Sequence, residues 1–115
     1  MTIETFTTDV LETGSDKAQT TATSFGSGLS IAANTPVAQD STDGLFYPWD
    51  PAGLNGRDVA LRLTAVAVDT TGGARDYQAY KSGTFNPELI QWPTSTALEQ
   101  SLQFAGTPIS IQAPQ

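Results

Sequence analysis

The chain has 115 residues, a length that predicts one domain with one modest hydrophobic core. It carries 12 acidic and 5 basic side chains and no His, and the formal net charge of −7 disfavours direct binding to nucleic acid. It has no Cys, so stability must come from packing or from association with other chains. No apolar run approaches the roughly 20 residues that cross a bilayer, and the N-terminus lacks signal-peptide features. We therefore expect a soluble protein that is made in the cytoplasm and makes no membrane contact.

The N-terminal segment is the first distinct feature in chain order. Residues 1–45 are rich in Thr, Ser, Ala and Gly, and their apolar residues are too sparse to build a core, so we expect core material to begin at Phe46. Within this segment, Ile3 to Leu11 contains β-favouring Thr but has neither a helix cap nor a helical period. We predict an extended arm over residues 1–20 and a compact domain over residues 21–115.

The middle of the chain predicts a β-hairpin. Residues 47–51 (Tyr-Pro-Trp-Asp-Pro) place aromatic side chains between prolines, and residues 54–57 (Leu-Asn-Gly-Arg) are typical of a tight turn. Residues 59–68 alternate in polarity and predict a strand. Gly72 and Gly73 then favour a turn, after which residues 77–81 are predicted to return as the antiparallel partner. One face of the first strand is predicted to comprise Val59, Leu61, Leu63, Ala65 and Ala67, and the other Arg62, Thr64, Val66 and Val68.

Short helical signals dominate the last third of the chain. Asn86-Pro87 has the form of a helix start, which Pro93 would soon terminate. Thr96 and Glu99 form a capping-box pattern, and we predict a helix over residues 97–105. Alternation at residues 109–111 predicts a last strand. The predicted fold is α+β, β-dominated and loop-rich, with an extended N-terminal arm and a short C-terminal helix.

Catalytic and metal-binding chemistry is poorly represented. The absence of His and Cys removes the commonest general base, the thiol nucleophile and the standard zinc ligands. A glycosidase would need two carboxyl groups across a cleft, and Asp50 with Asp58, or Asp69 with Asp76, are the available pairs, but Asp is common in such turn-forming sequences. Residues 40–44 lack the ligand pattern of a calcium loop. We therefore expect no enzymatic activity, no cofactor, no metal and no small-molecule substrate.

The sequence is also compatible with a binding function of a different class. Tyr47 and Trp49 could stack on a sugar ring, which would make the chain a carbohydrate- or host-surface-binding accessory domain. Aromatic residues among prolines are, however, more typical of a core edge or of a subunit interface.

Three sequence blocks carry a resemblance to a known family. They are residues 80–85 (Tyr-Lys-Ser-Gly-Thr-Phe), Trp92-Pro93, and residues 104–111 (Phe-Ala-Gly-Thr-Pro-Ile-Ser-Ile). Together with Trp49-Asp50 and residues 4–7 (Glu-Thr-Phe-Thr), their order and spacing resemble the lambda-type phage head decoration protein over nearly the whole chain. The chain departs from the family pattern in a longer segment between residues 50 and 59, in Lys17 where Pro is expected, and in a tail after Ile111.

The resemblance implies a mechanical role on the virion. A protein of this family is expected to form a homotrimer on the outer surface of the expanded head, at threefold and quasi-threefold positions, and to stabilise the head against the pressure of packaged DNA. Its partner would be the major capsid protein, whose sheet the arm would extend by one strand. The predicted arm contacts are Thr2, Ile3, Glu4, Thr5, Phe6, Thr7, Val10 and Leu11. The predicted core or trimer-interface residues are Trp49, Asp50, Tyr80, Lys81, Ser82, Gly83, Thr84, Phe85, Trp92, Pro93, Phe104 and Gly106.

Overall fold

The computed structural model describes residues 18–111, which are mostly strands and loops with one short α-helix. This composition confirms the predicted β-dominated, loop-rich class. The arm contacts predicted between residues 2 and 11 lie outside the described residues, as does the tail after Ile111. The elements in chain order are β1 Gln19–Phe25, β2 Ser30–Ile31, β3 Pro36–Gln39, β4 Phe46–Pro48, β5 Arg62–Thr64, β6 Val68–Asp69, β7 Arg75–Phe85, a 3-10 helix Pro87–Leu89, α1 Ala97–Ser101 and β8 Ile109–Ile111.

The main sheet closes on itself. Its strand order is β1-β4-β3-β5-β7-β8, and β1 also pairs with β7, so the first five strands form a ring. The closing pair is antiparallel and runs from Gln19 opposite Ser82 to Phe25 opposite Arg75. Closure gives each strand of the ring two neighbours, which removes the exposed edges that promote aggregation. Outside the ring, β8 runs parallel to β7, and β2 pairs with β6 in a separate two-stranded sheet.

Two apolar clusters form the core. The expectation that core material begins at Phe46 was wrong, because Phe25, Val37 and Ala38 are fully buried. The Thr-rich strand β1 and strand β3 are both part of the ring and both contain buried residues. The sparse apolar residues of this segment did not predict that it would contribute to the core. One cluster contains Phe25, Val37, Phe46, Val68 and Ala79. The other, called here the aromatic cluster, contains Trp49, Ala60, Leu63, Phe85, Ile90, Phe104 and Ile109, with Tyr80 and Trp92 packed against it.

Residues 59–68 do not form the single strand that their alternation predicted. Only Arg62–Thr64 is extended within the main sheet, and β6 starts at Val68. Val59 and Val66 are 45% and 43% exposed, whereas Thr64 is fully buried. Thr64 is buried because its Oγ1 accepts a hydrogen bond from the Thr35 N–H at 2.8 Å and donates one to a loop carbonyl, so a polar residue satisfies the interior.

The predicted hairpin is only partly correct. Gly73 N–H donates to the Thr70 carbonyl at 3.0 Å, which confirms the turn. That turn joins β6 to β7, but β6 pairs with β2 rather than with β7. The predicted antiparallel contact with residues 77–81 is confirmed for β5, where Leu63 lies opposite Tyr80.

The helix-start signals are confirmed, but the predicted helix length was wrong. The Asn86 side chain caps the 3-10 helix by accepting from the N–H of Glu88, and Thr96 and Glu99 form both hydrogen bonds of the capping box. The helix ends at Ser101 rather than at residue 105, because Phe104 adopts a positive φ of 64° and bonds through its N–H to the loop before β5. Among residues 18–111 no helix is long and apolar enough to cross a membrane.

Candidate functional site

The sequence blocks that carry the family resemblance converge on the aromatic cluster. The Trp49 and Trp92 rings meet edge to face with centroids 5.7 Å apart, and Trp92 lies 6.5 Å from Phe104. Tyr80 and Phe85, both on β7, have ring centroids 5.0 Å apart. Four separate segments of the chain, at Trp49, residues 80–85, Trp92 and Phe104, therefore pack together, and aromatic pairs in such arrangements stabilise a core beyond the area they bury.

Each indole has a partner for its polar group. The Trp49 Nε1–H donates to the Asp58 carbonyl at 2.8 Å, and the Trp92 Nε1–H donates to the Pro87 carbonyl at 3.1 Å. Trp49 is only 2% exposed, so it offers no face on which a sugar ring could stack. Tyr47 is half-buried, and the Arg57 guanidinium occupies one face of its ring, with its carbon 3.7 Å from the ring centroid. The two side chains therefore do not form the exposed stacking platform on which the carbohydrate-binding alternative depended.

Gly83 explains why the block at residues 80–85 contains a glycine. It has a φ of 129°, and a Cβ placed there would lie 2.9 Å from the Ala18 Cα and 3.0 Å from the Phe85 Cζ. Its N–H also donates to the Pro108 carbonyl at 3.1 Å. A side chain at this position would collide with the Ala18 backbone and the Phe85 ring. Glycine, which has no Cβ, allows these groups to pack closely against β7.

The other predicted residues lie nearer the surface, apart from the buried Thr84. Asp50 is exposed, and its Oδ1 accepts from the Ala52 N–H at 3.0 Å, which holds the loop after β4. Lys81 is exposed on β7, and Ser82 and Pro93 are half-buried. Gly106 is exposed with a φ of 79°, where the chain turns towards β8. The predicted set therefore divides into a buried aromatic group and a surface group.

Four residues that sequence reasoning did not single out as a group tie the loop after β3 to the loop after β4. This loop clamp consists of Asp40, Asp43, Tyr47 and Arg57. The Asp40 Oδ2 lies 2.7 Å from the Arg57 Nε, and the Tyr47 hydroxyl donates to the Asp43 Oδ2 at 2.7 Å. No local signal predicts an ion pair between residues so far apart in sequence, and the Asp-rich segment predicted only a turn.

The electrostatics of the loop clamp follow from these contacts. Hydrogen bonds from the Thr42 hydroxyl and N–H, together with the Arg57 guanidinium, lower the pKa of Asp40 to about 2. The hydrogen bond to Asp43 raises the pKa of the Tyr47 hydroxyl above its usual value. Both residues therefore keep their ordinary charge state at neutral pH, and the loop clamp has the properties of a structural element.

The described surface offers apolar contact area rather than reactive groups. Leu54, Leu98 and Leu102 are 77%, 68% and 63% exposed. Leu98 lies in α1 and Leu102 directly follows it. Beside this helix is an open groove lined by uncharged residues, among them Trp92 and Ile111. Within residues 18–111, no group of His, Cys, Asp or Glu side chains is placed to hold a metal ion. Such a surface is suited to contact with another protein.

Comparison with known proteins identifies the family. Residues 2–109 match the family model of the bacteriophage lambda head decoration protein D. The chain is 35% identical over 94 residues to a putative decoration protein of Escherichia phage N15, covering 77% of this chain and 81% of that protein. It is 33% identical over 101 residues to the head decoration protein of Enterobacteria phage P21, covering 87% of this chain and 84% of that protein.

These matches place the chain among the structural proteins of the phage virion, a class distinct from enzymes. It belongs to the family of the bacteriophage lambda head decoration protein D. The resemblance found in the sequence blocks is thereby confirmed.

Proposed function

We propose that this chain trimerises on the outer surface of the expanded phage head, at threefold and quasi-threefold positions, and stabilises the head against the pressure of packaged DNA. Its partner would be the major capsid protein. The observation that carries the proposal is the extent of the family match, which covers residues 2–109 and so includes all the predicted arm contacts and all but the last two residues of the motif blocks. The names of two relatives, from Escherichia phage N15 and Enterobacteria phage P21, both describe decoration.

The proposed capsid contact is the segment from Thr2 to Leu11. Its Thr residues favour an extended backbone, and an extended segment binds to the edge of a sheet by adding one strand, with main-chain hydrogen bonds giving affinity and side-chain pockets giving specificity. Three such arms on one trimer would raise the effective concentration of the second and third after the first has bound. Tight binding then requires no large rigid interface on each subunit.

Binding to the expanded head alone would follow if expansion uncovers the acceptor edge. A protein that binds one of two states stabilises that state by its differential affinity, so the decoration protein would reinforce the expanded form. The net charge of −7 supports a position outside the shell, because a strongly anionic chain gains nothing from contact with DNA.

The surface of the described domain supports association between copies. Leu98 and Leu102 are apolar, and each is more than half exposed. Burying a Leu side chain yields about 1.5–3 kcal/mol relative to leaving it in water, so contacts between subunits through such residues would stabilise a trimer. The buried Trp49, Phe85 and Phe104 would then support the fold of each subunit, while surface residues such as Lys81 and Pro93 are the better candidates for contacts between subunits.

Deleting residues 2–11 tests the arm directly. We expect the shortened chain to remain a folded trimer by circular dichroism and light scattering but no longer to sediment with expanded heads. Phe6→Asp in the full-length chain should weaken binding by at least about tenfold, since burial of one Phe accounts for about 1.5–3 kcal/mol. Thr8→Asp is the matched control, because it introduces the same charge at a polar position that is not among the predicted arm contacts. Full binding by the deletion variant would contradict the role of the arm, and a monomeric full-length chain would contradict the trimer.

A further inference from the structure

An exposed Asn-Gly pair forms the tip of the loop after β4. Asn55 has a φ of 58° and Gly56 a φ of 90°, and the turn is closed by the Arg57 N–H donating to the Leu54 carbonyl at 3.2 Å. Both central residues of this turn are exposed. The Asn55 carbonyl accepts from the Ser41 N–H at 2.8 Å, so the turn is also fastened to the loop that contains Asp40.

We propose that Asn55 is a site of spontaneous deamidation through a cyclic imide formed with Gly56. The Gly56 amide gives up its proton to solvent and its nitrogen attacks the Asn55 Cγ; a new N–C bond forms, the Cγ–Nδ2 bond breaks, and ammonia leaves. Water then adds to one of the two imide carbonyls and opens the ring to aspartate or to isoaspartate. The sum of the two steps is the uptake of one water and the loss of one ammonia, with no oxidation or reduction.

The chain has three Asn residues, and in each case the nucleophile would be the backbone amide nitrogen of the following residue. These three amides differ in how accessible they are. The residue after Asn34 is the buried Thr35, whose N–H already donates to the Thr64 Oγ1 at 2.8 Å. The residue after Asn86 is a proline, which has no N–H. Gly56, by contrast, is exposed and its N–H donates to no acceptor within the described part of the chain.

Glycine also removes the steric obstacle to the reaction. Without a Cβ on the attacking residue, the backbone can rotate towards the side-chain carbonyl of Asn55 at little cost. Asp43-Gly44 is the nearest comparison within the chain, but there the Gly44 N–H donates to the Asp40 carbonyl at 2.8 Å, and the Asp43 carboxylate accepts from both Leu45 and Tyr47. Of these two exposed turns, only the one at Asn55 leaves the attacking amide open to solvent.

Isoaspartate at this position would loosen the loop clamp. The main chain would gain one methylene group, and the carbonyl that now accepts from Ser41 would become a free carboxylate beside it. Arg57, two residues further on, would then be displaced from Asp40, to which it is 2.7 Å away. Both products also add one negative charge to a chain whose formal net charge is already −7.

The test is a time course on the full-length protein in mildly alkaline buffer below its unfolding temperature. Peptide mass spectrometry with electron-transfer fragmentation locates the mass gain and separates aspartate from isoaspartate. We expect modification at Asn55 to be at least about tenfold faster than at Asn34, the factor that corresponds to releasing one buried hydrogen bond, and to be absent at Asn86. Equal rates at Asn55 and Asn34, or modification only after unfolding, would overturn the proposal.

Asn55→Gly is the matched control, because glycine tolerates the positive φ and removes the reactive amide. This variant should form anionic species on ion exchange at no more than about a tenth of the wild-type rate, the share expected from Asn34, whereas accumulation at the wild-type rate would refute the assignment. The consequence is checked by comparing the isolated isoaspartate form with Asn55→Asp, which has the same charge without the extra methylene. We expect only the isoaspartate form to unfold at lower urea, and identical midpoints would contradict the loosening of the loop clamp.

Discussion

Thr64→Val replaces a buried hydroxyl by a methyl group of almost the same size, which isolates the contribution of hydrogen bonding. Thr64 is fully buried, and its Oγ1 accepts from the Thr35 N–H at 2.8 Å and donates to the Ala32 carbonyl at 2.9 Å. The Ala32 carbonyl keeps a second donor, the Thr35 hydroxyl at 2.8 Å. The Thr35 N–H has no second acceptor among the described residues, so the substitution leaves a buried donor without a hydrogen bond. Leaving one buried donor unsatisfied costs about 1–3 kcal/mol.

Equilibrium urea unfolding at one fixed protein concentration measures this loss, since association would otherwise change the apparent stability. In a thermal scan the same loss corresponds to a fall of about 4–8 °C for each kcal/mol. Thr20→Val, on the exposed side of β1, makes the same chemical change without a hydrogen bond to lose and should stay within about 0.5 kcal/mol of the parent. If the two variants were equally stable, the buried threonine network would contribute nothing and the reasoning would fail.

Three further predictions concern the loops and the helix. Gly26→Ala should destabilise the fold by about 1–3 kcal/mol in urea, because its Cβ would collide with the Tyr47 ring, whereas Gly72→Ala, where a Cβ meets no atom, should be neutral or slightly stabilising; equal effects would contradict the packing of Tyr47. Because folding lowers the pKa of Asp40 to about 2, its carboxylate stabilises the fold above its unfolded pKa of 3.8, and that stabilisation is lost as the pH falls from about 4 to about 2; Asp40→Asn should be less stable at neutral pH and show a flatter acid profile, and an unchanged profile would refute this. Thr96→Ala should cost about 0.5–2 kcal/mol by removing the cap of α1, while Thr94→Ala should change the free energy of unfolding by less than about 0.5 kcal/mol; a similar loss in both would show that the cap is unimportant.

The sequence correctly predicts the caps and turns whose hydrogen bonds join residues close together in the chain. The capping box at Thr96, the Asn86-Pro87 start and the turn around Asn55 each require contacts between residues at most four apart, so local chemistry determines them. The end of α1 was not predicted because it is set by Phe104, whose N–H bonds to Ala60, which is distant along the chain.

The closure of the sheet and the buried threonines had no local signal. From the sequence alone threonine indicates only a preference for strands, but Thr64 and Thr70 use their hydroxyls to join segments 29 to 44 positions apart. Alternation between residues 59 and 68 failed for the same reason, since a hydrogen-bonded threonine is buried as completely as Leu63. Patterns of polarity do not reveal which hydroxyls will find a partner across the fold.

The aromatic residues show the opposite case. The sequence predicts that Trp49, Trp92 and Phe104 lie in the core or at a subunit interface, and the structure packs them into one cluster within the subunit. The sequence blocks that carry the family resemblance contain these same three residues. Contacts with the capsid depend on a second protein, and neither polarity nor local geometry in this chain specifies them.

The most direct test of the proposed function is co-sedimentation of the purified protein with expanded heads that lack decoration and, in parallel, with unexpanded procapsids of the same phage. The proposal predicts saturable binding to expanded heads, in multiples of three copies per site, and none to procapsids. Equal binding to both particles would contradict an expansion-created site, and binding to neither would contradict the capsid as partner.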